Sequence, residues 1–562
     1  MRRLKSRKDN LEVSELLANI KSSTSLKSAV PNHTPTHRRK PPYNTPMTDM
    51  PLDPPRDVLR VRHFVLWVPL VLFGAMVILS LLNARMFLQI VTGLNDWVLA
   101  VFSNTFAFSA FAFVLICLWA ALSPLGRVRI GGSEAKPLLS RWNWIAITLT
   151  TTIAIGIVFW GTAEPVYHLY TPASAQVEPG SAEAARLSLS TLYMHWTFTP
   201  YAIYTVPGLT FALVYYNLKT PYSLSSPFSV LTGKPIPKAG AAFIDSLALL
   251  ALVFGLLASL GSGILSISGG ISRLTDLPVG TWMLAIVAAV IVVAFSISSA
   301  TGLHRGIRIL SDANTKIFIV LIIFVLIAGP TLAIIQLSGQ SILQYISEFV
   351  PRSILAAPFN ERDWINDWTV FYFANWMAWA PLAGLFLGRI SRGYTVREYI
   401  LINLLIPGLF SMIWMSVFGG LTLNIEAANP GLLNGVLRDL GPEHILYQVL
   451  DYLPLGAVLA LVVIILSFLS YVTAADSNID VIANLCCHTE TADPSTSPSL
   501  IGLKLLWAVT VGFSAWVMTS LSGIEGIKML SNLGGLPSLF IISFFAVILV
   551  MLGTVKIETI RR

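Results

Sequence analysis

Charge is scarce in this sequence. Only 12% of its 562 residues are Asp, Glu, Lys or Arg, about half the share found in soluble domains, and 55% are hydrophobic. The mean hydropathy is +0.71. A surface so poor in charge is not suited to water. The composition therefore excludes a soluble globular protein and predicts an all-α polytopic membrane protein.

Cysteine is also scarce, and the motifs of several chemistries are missing. Cys117, Cys486 and Cys487 fall in or beside hydrophobic runs, so no disulfide framework is predicted. The sequence contains no Walker A loop, nucleophile elbow, zinc cluster or haem attachment motif. We therefore expect no cofactor and no enzymatic activity, and any transport would draw its energy from a gradient.

Twelve hydrophobic runs are long enough to cross a bilayer as helices. They lie near residues 64–82, 97–122, 143–168, 192–216, 243–271, 281–300, 315–337, 366–388, 399–421, 447–473, 503–522 and 530–553.

Residues 1–62 differ from the rest. They contain 13 Lys and Arg with frequent Pro, Ser and Thr, and no hydrophobic run follows the opening MRRLKSRK. This segment is predicted to be disordered and is not a signal peptide. It is either a solvated cytoplasmic tail or a sensor that docks on anionic lipid headgroups. The twelve hydrophobic runs lie in a domain of residues 63–555. Residues 556–562 form a short tail, in which we expect no long regulatory helix.

The distribution of basic residues predicts the orientation in the membrane. With twelve spans and the N-terminus inside, the inner segments carry 30 Lys and Arg and the outer loops carry seven. Because basic loops stay in the cytoplasm, both termini are predicted to be cytoplasmic.

Four of the hydrophobic runs concentrate polar or helix-breaking residues, which in membranes usually face a cavity or another helix. They are 148-TLTTTIAIGIVFWGTAEP-165, 193-YMHWTFTPYAIYTVPG-208, 254-FGLLASLGSGILSISGG-270 and 372-YFANWMAWAP-381. Glu164 is either an anchoring carboxylate at a helix end or a proton carrier. The small residues of the third stretch are typical of close helix packing.

Aromatic residues in two of these runs suggest a binding site. On a continuous helix, Tyr372, Trp376 and Trp379 fall within about 60° of one another, and Trp196 and Tyr204 fall within about 80°. Ring faces are negative, so two such helices could enclose a cation that has no hydrogen-bond donors, which describes a quaternary ammonium. Ordinary aromatic packing is the alternative.

At these residues the sequence resembles the betaine/carnitine/choline transporter family over roughly residues 60–555. The main motifs are 371-FYFANWMAWAPLAGLFLGRISRGYTVREYI-400, 156-GIVFWGTAEP-165 and 195-HWTFTPYAIY-204. Weaker matches are 254-FGLLASLGSGILSI-267, 302-GLHRGIRILSDAN-314 and 471-YVTAADSNID-480.

The resemblance implies a secondary transporter with twelve helices, the last ten arranged as two inverted five-helix repeats (LeuT-like). It implies uptake of a small quaternary ammonium compound such as glycine betaine, choline or carnitine, as in osmoprotection, across the plasma (inner) membrane. It also implies coupling to sodium or protons and a homotrimer. No nucleic-acid partner is expected.

When the binding residues of the family are carried over to the matching motif positions, the resemblance implies that the cationic head of the substrate lies among Trp196, Tyr201, Tyr204 and Trp376. It also implies that Trp379 lies on the transit path of the substrate. Tyr201 and Asn375 stand where tryptophan is usual in the family. We hypothesise that the Asn375 amide meets a carboxylate or hydroxyl of the substrate.

Two further regions depart from the family pattern. In the third run, Ala154, Ile155 and Gly156 replace a glycine-rich segment that binds the substrate carboxylate in betaine-specific relatives. The sodium site of coupled relatives would map to Thr473 and Ser259, but it lacks hydroxyls, because Ala474 follows Thr473 and leucines occupy 256 and 257. Proton coupling and substrate exchange without sodium therefore stay open.

Two other classes of function compete with transport. A membrane sensor could use the same site without flux. A membrane-embedded enzyme would need a nucleophile or metal constellation, and the sequence shows none.

Overall fold

The computed structural model describes residues 59–152, 156–301, 304–489 and 498–561. Their helices and loops are accompanied by one short antiparallel pair of strands, β1 (Leu59–Val61) with β2 (Cys487–Thr489). Arg62 extends this link by donating to the Leu485 carbonyl oxygen and to Asp245. Most of the predicted basic tail, residues 1–58, lies outside the described residues.

The long helices up to residue 353 are α1 (His63–Leu82), α2 (Ala84–Leu122), α3 (Arg141–Thr152), α4 (Gly156–Tyr170), α5 (Ala182–Trp196), α6 (Phe198–Ala212), α7 (Lys238–Thr275), α8 (Thr281–Thr301), α9 (His304–Ala328) and α10 (Thr331–Ser353). They are followed by α11 (Phe371–Arg389), α12 (Ile406–Ala428), α13 (Gly456–Leu485) and α14 (Pro498–Thr554). Short helices are Phe228–Thr232, Arg362–Trp364, Val396–Ile400, Leu432–Asp439, Ile445–Leu450 and Ile557–Arg561, and single π-helical turns lie at Leu213–Asn217, Ile365–Val370 and Leu401–Leu405.

The helical prediction is confirmed, and within the described ranges eight helices are long and apolar enough to cross a membrane. A ninth candidate is the pair α9 and α10, which is bent by 109°. Large apolar side chains face outward from these helices. Trp282 is 83% exposed and Leu82 and Ile327 are each 79% exposed. Such a surface fits a hydrocarbon environment.

One predicted span is not a single helix. The run 192–216 is divided into α5 and α6 at Thr197, whose backbone angles (φ −111°, ψ −118°) are not helical. Pro200 explains this break, because its ring would clash with the Trp196 carbonyl group in a continuous helix and it has no N–H to donate to that carbonyl. Of the run 143–168, the structure describes α3 and α4, and residues 153–155 lie outside the described residues.

Other boundaries also differ from the prediction. The run 315–337 bends at Gly329 and Pro330, since proline ends the preceding helix. The tenth span was predicted at 447–473, but α13 begins after Leu455, which has φ 64°, and it extends to Leu485. The last two runs are joined in α14, whose course is interrupted at Gly523 (φ 51°, ψ −128°), a conformation suited to glycine.

The core brings the interrupted helices together. α11 packs on α6 along one side and on α14 and α7 along the other. α4 packs on α5 and α12. Gly384 and Gly388 of α11 allow its close approach to α6, because a Cβ on Gly388 would lie 2.6 Å from the Gly208 carbonyl oxygen. The α5–α6 break therefore faces the aromatic part of α11.

Candidate substrate site

Trp376 is the centre of a buried aromatic cluster formed by α5, α6 and α11. Its ring centroid lies 5.7 Å from Trp196, 5.7 Å from Tyr201 and 5.3 Å from Tyr204. The planes meet at 57° to 79°, so adjacent rings form corners. All four side chains are at most 5% exposed. The structure therefore brings the four predicted box residues into one cluster that is closed to solvent.

The helix break determines how these rings meet. The prediction that Trp196 and Tyr204 share one face of a continuous helix is wrong, because the helix ends after Trp196. The two rings instead lie on different helices and both contact Trp376.

Hydrogen bonds hold the polar ends of the rings. Trp376 Nε1 donates to the His195 carbonyl oxygen at 3.1 Å, and the hydroxyl groups of Tyr201 and Ser411 are bonded at 2.8 Å. Trp196 Nε1 donates to Glu164 Oε2 at 2.8 Å. Because the polar atoms of Trp196, Tyr201 and Trp376 are bonded to protein groups, these three residues offer their ring faces to a ligand.

Glu164 belongs to a buried cluster that the sequence reasoning missed. Its Oε1 atom lies 3.0 Å from His168 Nε2 and 2.7 Å from His195 Nδ1. All three residues are fully buried, and together they form a group of potential metal ligands. The i,i+4 spacing of Glu164 and His168 and the position of His195 next to Trp196 were visible signals, but the pairing across α4 and α5 was not.

Only part of the third-run segment is described. A Cβ on Gly156 would lie 3.2 Å from Cη2 of Trp196, so this glycine lies against the cluster and a larger residue would press on the indole. Ala154 and Ile155 lie outside the described residues.

Asn375 contacts α14 and Trp379 contacts α7. The Ser531 hydroxyl donates to Asn375 Oδ1 at 3.3 Å, so the amide contacts α14. A Cβ on Gly255 would lie 3.0 Å from Trp379 Nε1, so this indole packs on α7. Both side chains are half-buried.

The two candidate sodium ligands are on α13 and α7. The Thr473 hydroxyl donates to the Ser470 carbonyl oxygen of its own helix at 3.0 Å. Ser259 is half-buried. Within the described ranges no hydrogen bond joins the two residues, and the Thr473 oxygen keeps its lone pairs while it donates its proton.

The loop between α11 and Val396–Ile400, the most distinctive motif of the sequence, is held by backbone and side-chain contacts. Thr395 and Glu398 form a capping box, and Arg141 pairs with Glu398. Gly393 has φ 87°, and a Cβ there would lie 2.3 Å from the carbonyl carbon of Lys136. The glycine of this motif is therefore required for close packing of two loops.

The family model and the individual relatives that match this chain point to the same family. Residues 64–556 match the model of the betaine/carnitine/choline family of transporters. An ectoine/hydroxyectoine transporter of Virgibacillus pantothenticus is 31% identical over 447 residues, covering 79% of this chain and 86% of that protein. A glycine betaine transporter of Bacillus subtilis (strain 168) is 30% identical over 492 residues, covering 87% and 93%. An osmo-dependent choline transporter of Acinetobacter baylyi is 30% identical over 470 residues, covering 83% and 67%.

Proposed function

This chain belongs to the betaine/carnitine/choline transporter family, and we propose that it takes up a small compatible solute with a quaternary ammonium or similar cationic head. It is a multi-pass membrane transporter rather than an enzyme. We place it in the plasma membrane with both termini cytoplasmic, in agreement with the excess of basic residues in the predicted inner segments.

The aromatic cluster around Trp376 carries the proposal. A quaternary ammonium loses its water on entering a buried site, and burial of an unpartnered charge is unfavourable. Ring faces compensate by cation–π attraction of about 2 kcal/mol or more at desolvated sites. Trp196, Tyr201, Tyr204 and Trp376 would hold the head, while Asn375 and Trp379 would line the path beside it.

The names of the relatives support a range of substrates. They include transporters of glycine betaine, choline and ectoine. Glycine betaine and choline are quaternary ammonium compounds, whereas ectoine carries a delocalised cation in a ring. Aromatic faces accept any of these heads, so a compatible solute of this size is the proposed cargo.

Alternating access is the proposed mechanism. We count twelve spans by taking α3 with α4, α5 with α6 and α9 with the first part of α10 as one span each, and by dividing α14 at Gly523. The last ten would form two inverted repeats whose relative rocking exposes the site to each side in turn. A homotrimer and contacts of the basic tail with anionic lipids are further parts of this proposal.

Uptake into proteoliposomes tests the proposal. Labelled glycine betaine, choline and ectoine would be offered with an inward sodium gradient, with a pH gradient, and to vesicles preloaded with substrate. Sodium is tested first because Thr473 and Ser259 offer hydroxyl oxygens; the other arms test proton coupling and exchange. Accumulation in any arm supports transport, binding without accumulation would indicate a sensor, and neither binding nor uptake would overturn the proposal.

A further inference from the structure

The two indole rings of the aromatic cluster are anchored through their N–H groups. Trp196 Nε1 donates to Glu164 Oε2 at 2.8 Å, and Trp376 Nε1 donates to the His195 carbonyl oxygen at 3.1 Å. An indole has a single donor at its edge, so a bond there leaves both ring faces free. The direction in which each face points therefore depends on where these two acceptors lie.

The break between α5 and α6 supplies one of the two acceptors. In a continuous helix the His195 carbonyl oxygen would accept from the N–H of Thr199, four residues further on. Because α5 ends at Trp196, this carbonyl belongs to the last turn of the helix, where carbonyl groups have no partner within the helix. The side chain of Trp376 takes the free place, so the break and the ring on α11 are matched to each other.

Glu164 reaches both residues at the end of α5. Its Oε2 atom accepts from Trp196, and its Oε1 atom lies 2.7 Å from His195 Nδ1. The first contact fixes a ring of the cluster. The second contact fixes the residue whose carbonyl oxygen holds Trp376. One carboxylate on α4 is thus joined to both indoles, to one directly and to the other through His195.

The part of α4 that carries this carboxylate is well supported. His168, one turn along the same helix, lies 3.0 Å from the Oε1 atom. The Ser188 hydroxyl of α5 donates to the carbonyl oxygen of Pro165 at 2.9 Å. Trp414 of α12 donates to the carbonyl oxygen of Ile157 at 2.9 Å. Because α5 and α12 are both bonded to α4, the carboxylate has a fixed base from which to orient other groups.

His195 is also held from the side of α11. Its ring stacks on the Tyr372 ring with the centroids 4.7 Å apart and the planes at 26°. Its Nε2 atom lies 3.2 Å from the hydroxyl of Thr369, in the π-helical turn before α11. With Glu164 at Nδ1, both ring nitrogens have a partner. The ring of His195 is therefore fixed on two sides, and this restricts the carbonyl group that holds Trp376.

The bond to Glu164 is what keeps the Trp196 ring in its observed direction. The ring is only 3% exposed, and an indole N–H that loses its acceptor in a buried site is unfavourable. Without the carboxylate the ring would therefore turn toward another acceptor. Gly156 has no side chain to oppose such a turn, although a Cβ there would lie 3.2 Å from Cη2 of the indole.

We propose that Glu164 is a positioning residue of the substrate site, which sets the directions of the Trp196 and Trp376 ring faces and thereby the affinity for the cationic head. It acts through these residues and does not touch the substrate. This inference rests on the proposed function. The alternative is that Glu164 only joins α4 to α5, in which case its loss lowers stability and leaves the affinity of the folded protein unchanged.

Equilibrium binding of tetramethylammonium to the purified full-length protein tests the proposal, with the melting temperature measured in parallel. In Glu164→Gln the amide oxygen can accept from Trp196 and the amide N–H groups can donate to the histidine rings, so we expect affinity within about threefold of the wild type. Glu164→Leu has a similar size but no acceptor. We expect it to bind about tenfold more weakly, because misdirected rings lose part of the cation–π attraction.

A shorter amide side chain gives a second variant for the case that Glu164→Leu does not fold. Glu164→Asn carries the same amide as Glu164→Gln on a side chain that is one methylene shorter. It cannot reach both Trp196 and His195 from the same position on α4. We therefore expect its affinity to fall as in Glu164→Leu, and not to stay near the wild type as in Glu164→Gln.

Glu426 on α12 offers a matched control, because it is also a buried glutamate with several partners. It is 2% exposed and accepts from the Tyr170 hydroxyl and from the backbone N–H groups of Gly431 and Leu433. Glu426→Leu should lower the melting temperature, while the affinity for tetramethylammonium stays within about twofold of the wild type. The control separates a general loss of stability from a loss of ring positioning.

A double-mutant cycle tests whether the effect passes through the indole. Trp196→Phe keeps a ring face but has no N–H to donate. In that background Glu164→Leu no longer removes a bond to the ring, so we expect a further loss of less than about threefold, against about tenfold in the wild type. The part that remains measures the path through His195 to Trp376.

The outcomes distinguish this inference from the proposed function. If tetramethylammonium, glycine betaine and choline all fail to bind the wild type, the proposed function fails. If the wild type binds and Glu164→Leu binds equally well, the positioning role is wrong while the transporter assignment stands. Equal losses in Glu164→Gln and Glu164→Leu, an undiminished loss in the Trp196→Phe background, or an equal loss in Glu426→Leu would also overturn the positioning role.

Discussion

α11 has two adjoining faces, and neighbouring residues of one motif are used differently on them. On one face, Trp376 contacts three rings from α5 and α6. On the other, Asn375 and Trp379 lie against α14 and α7, where glycines allow close approach. Both faces of α11 carry large side chains. On the first face, several aromatic rings meet next to the buried carboxylate of Glu164. A dense aromatic motif thus combines a candidate binding surface with a packing surface.

The comparison is tested most strongly by exchanging the two tryptophans for leucine. Trp376→Leu removes the ring that all three partners contact, and we expect affinity for a quaternary ammonium to fall about 30-fold or more, as lost cation–π attraction of about 2 kcal/mol requires. Trp379→Leu should lower affinity less than about fivefold. Substrate binding to both purified variants is the measurement. Equal losses would show that the two faces are not distinct.

The family resemblance named the four rings of the first face, Trp196, Tyr201, Tyr204 and Trp376, and the structure brings these rings together. The assignment of Asn375 to the substrate and Trp379 to its path rested on the same motif, and it stays a prediction. Angular position on a helix does not say which neighbouring helix each side chain meets.

Substitutions on the packing face of α11 should change the stability of the folded protein. A Cβ on Gly535 would lie 2.6 to 2.7 Å from the Cβ, Cα and carbonyl oxygen of Ala374, atoms that cannot move without shifting α11. We expect Gly535→Ala to destabilise the protein by about 1–3 kcal/mol, which a thermal unfolding assay would show as a lower melting temperature.

Gly502→Ala is the matched control on the same helix, because no atom lies within 4 Å of a Cβ there. It should be neutral or stabilising by about 0.5–1 kcal/mol. Equal destabilisation of both variants would contradict this account, because alanine is the better helix former and a Cβ at position 502 meets no atom within 4 Å.

The helix break on the binding face gives a smaller expected effect. Pro200→Ala removes the ring that prevents α5 from continuing past Trp196, so the indole can shift. We expect affinity to fall about three- to tenfold with little change in melting temperature. Pro207→Ala is the control, since α6 continues through this residue and alanine keeps the Cβ that contacts Gly384. An equal loss in the control would mean that the break does not position Trp196.

Asn375→Ala gives the smallest expected effect and sharpens the hypothesis on this residue. Tetramethylammonium lacks a carboxylate and a hydroxyl, whereas glycine betaine and choline each have one. Because the amide accepts from Ser531, we expect affinity for all three to change alike, by less than about threefold. A loss confined to glycine betaine and choline would instead show that the amide meets the substrate.

Physical reasons explain what sequence could and could not provide. Hydrophobic runs predicted the helices. The prolines near Thr197 and at Pro330 explain the helix breaks there, but their positions alone did not predict the breaks. The cluster of Glu164 with His195 joins residues 31 positions apart on two helices. Periodicity within one helix carries no information on such a pair. The Asn375 contact with Ser531 spans 156 residues and was hidden for the same reason.

The most direct test of the aromatic site is equilibrium binding of tetramethylammonium to the purified protein. Intrinsic tryptophan fluorescence is the signal that reports binding. This ligand offers only a cationic head, so it reports on ring faces alone. We predict saturable binding to the wild type and to Trp379→Leu, and none in the same concentration range to Trp376→Leu. Unchanged binding to Trp376→Leu would contradict the assignment of the cationic head to this cluster.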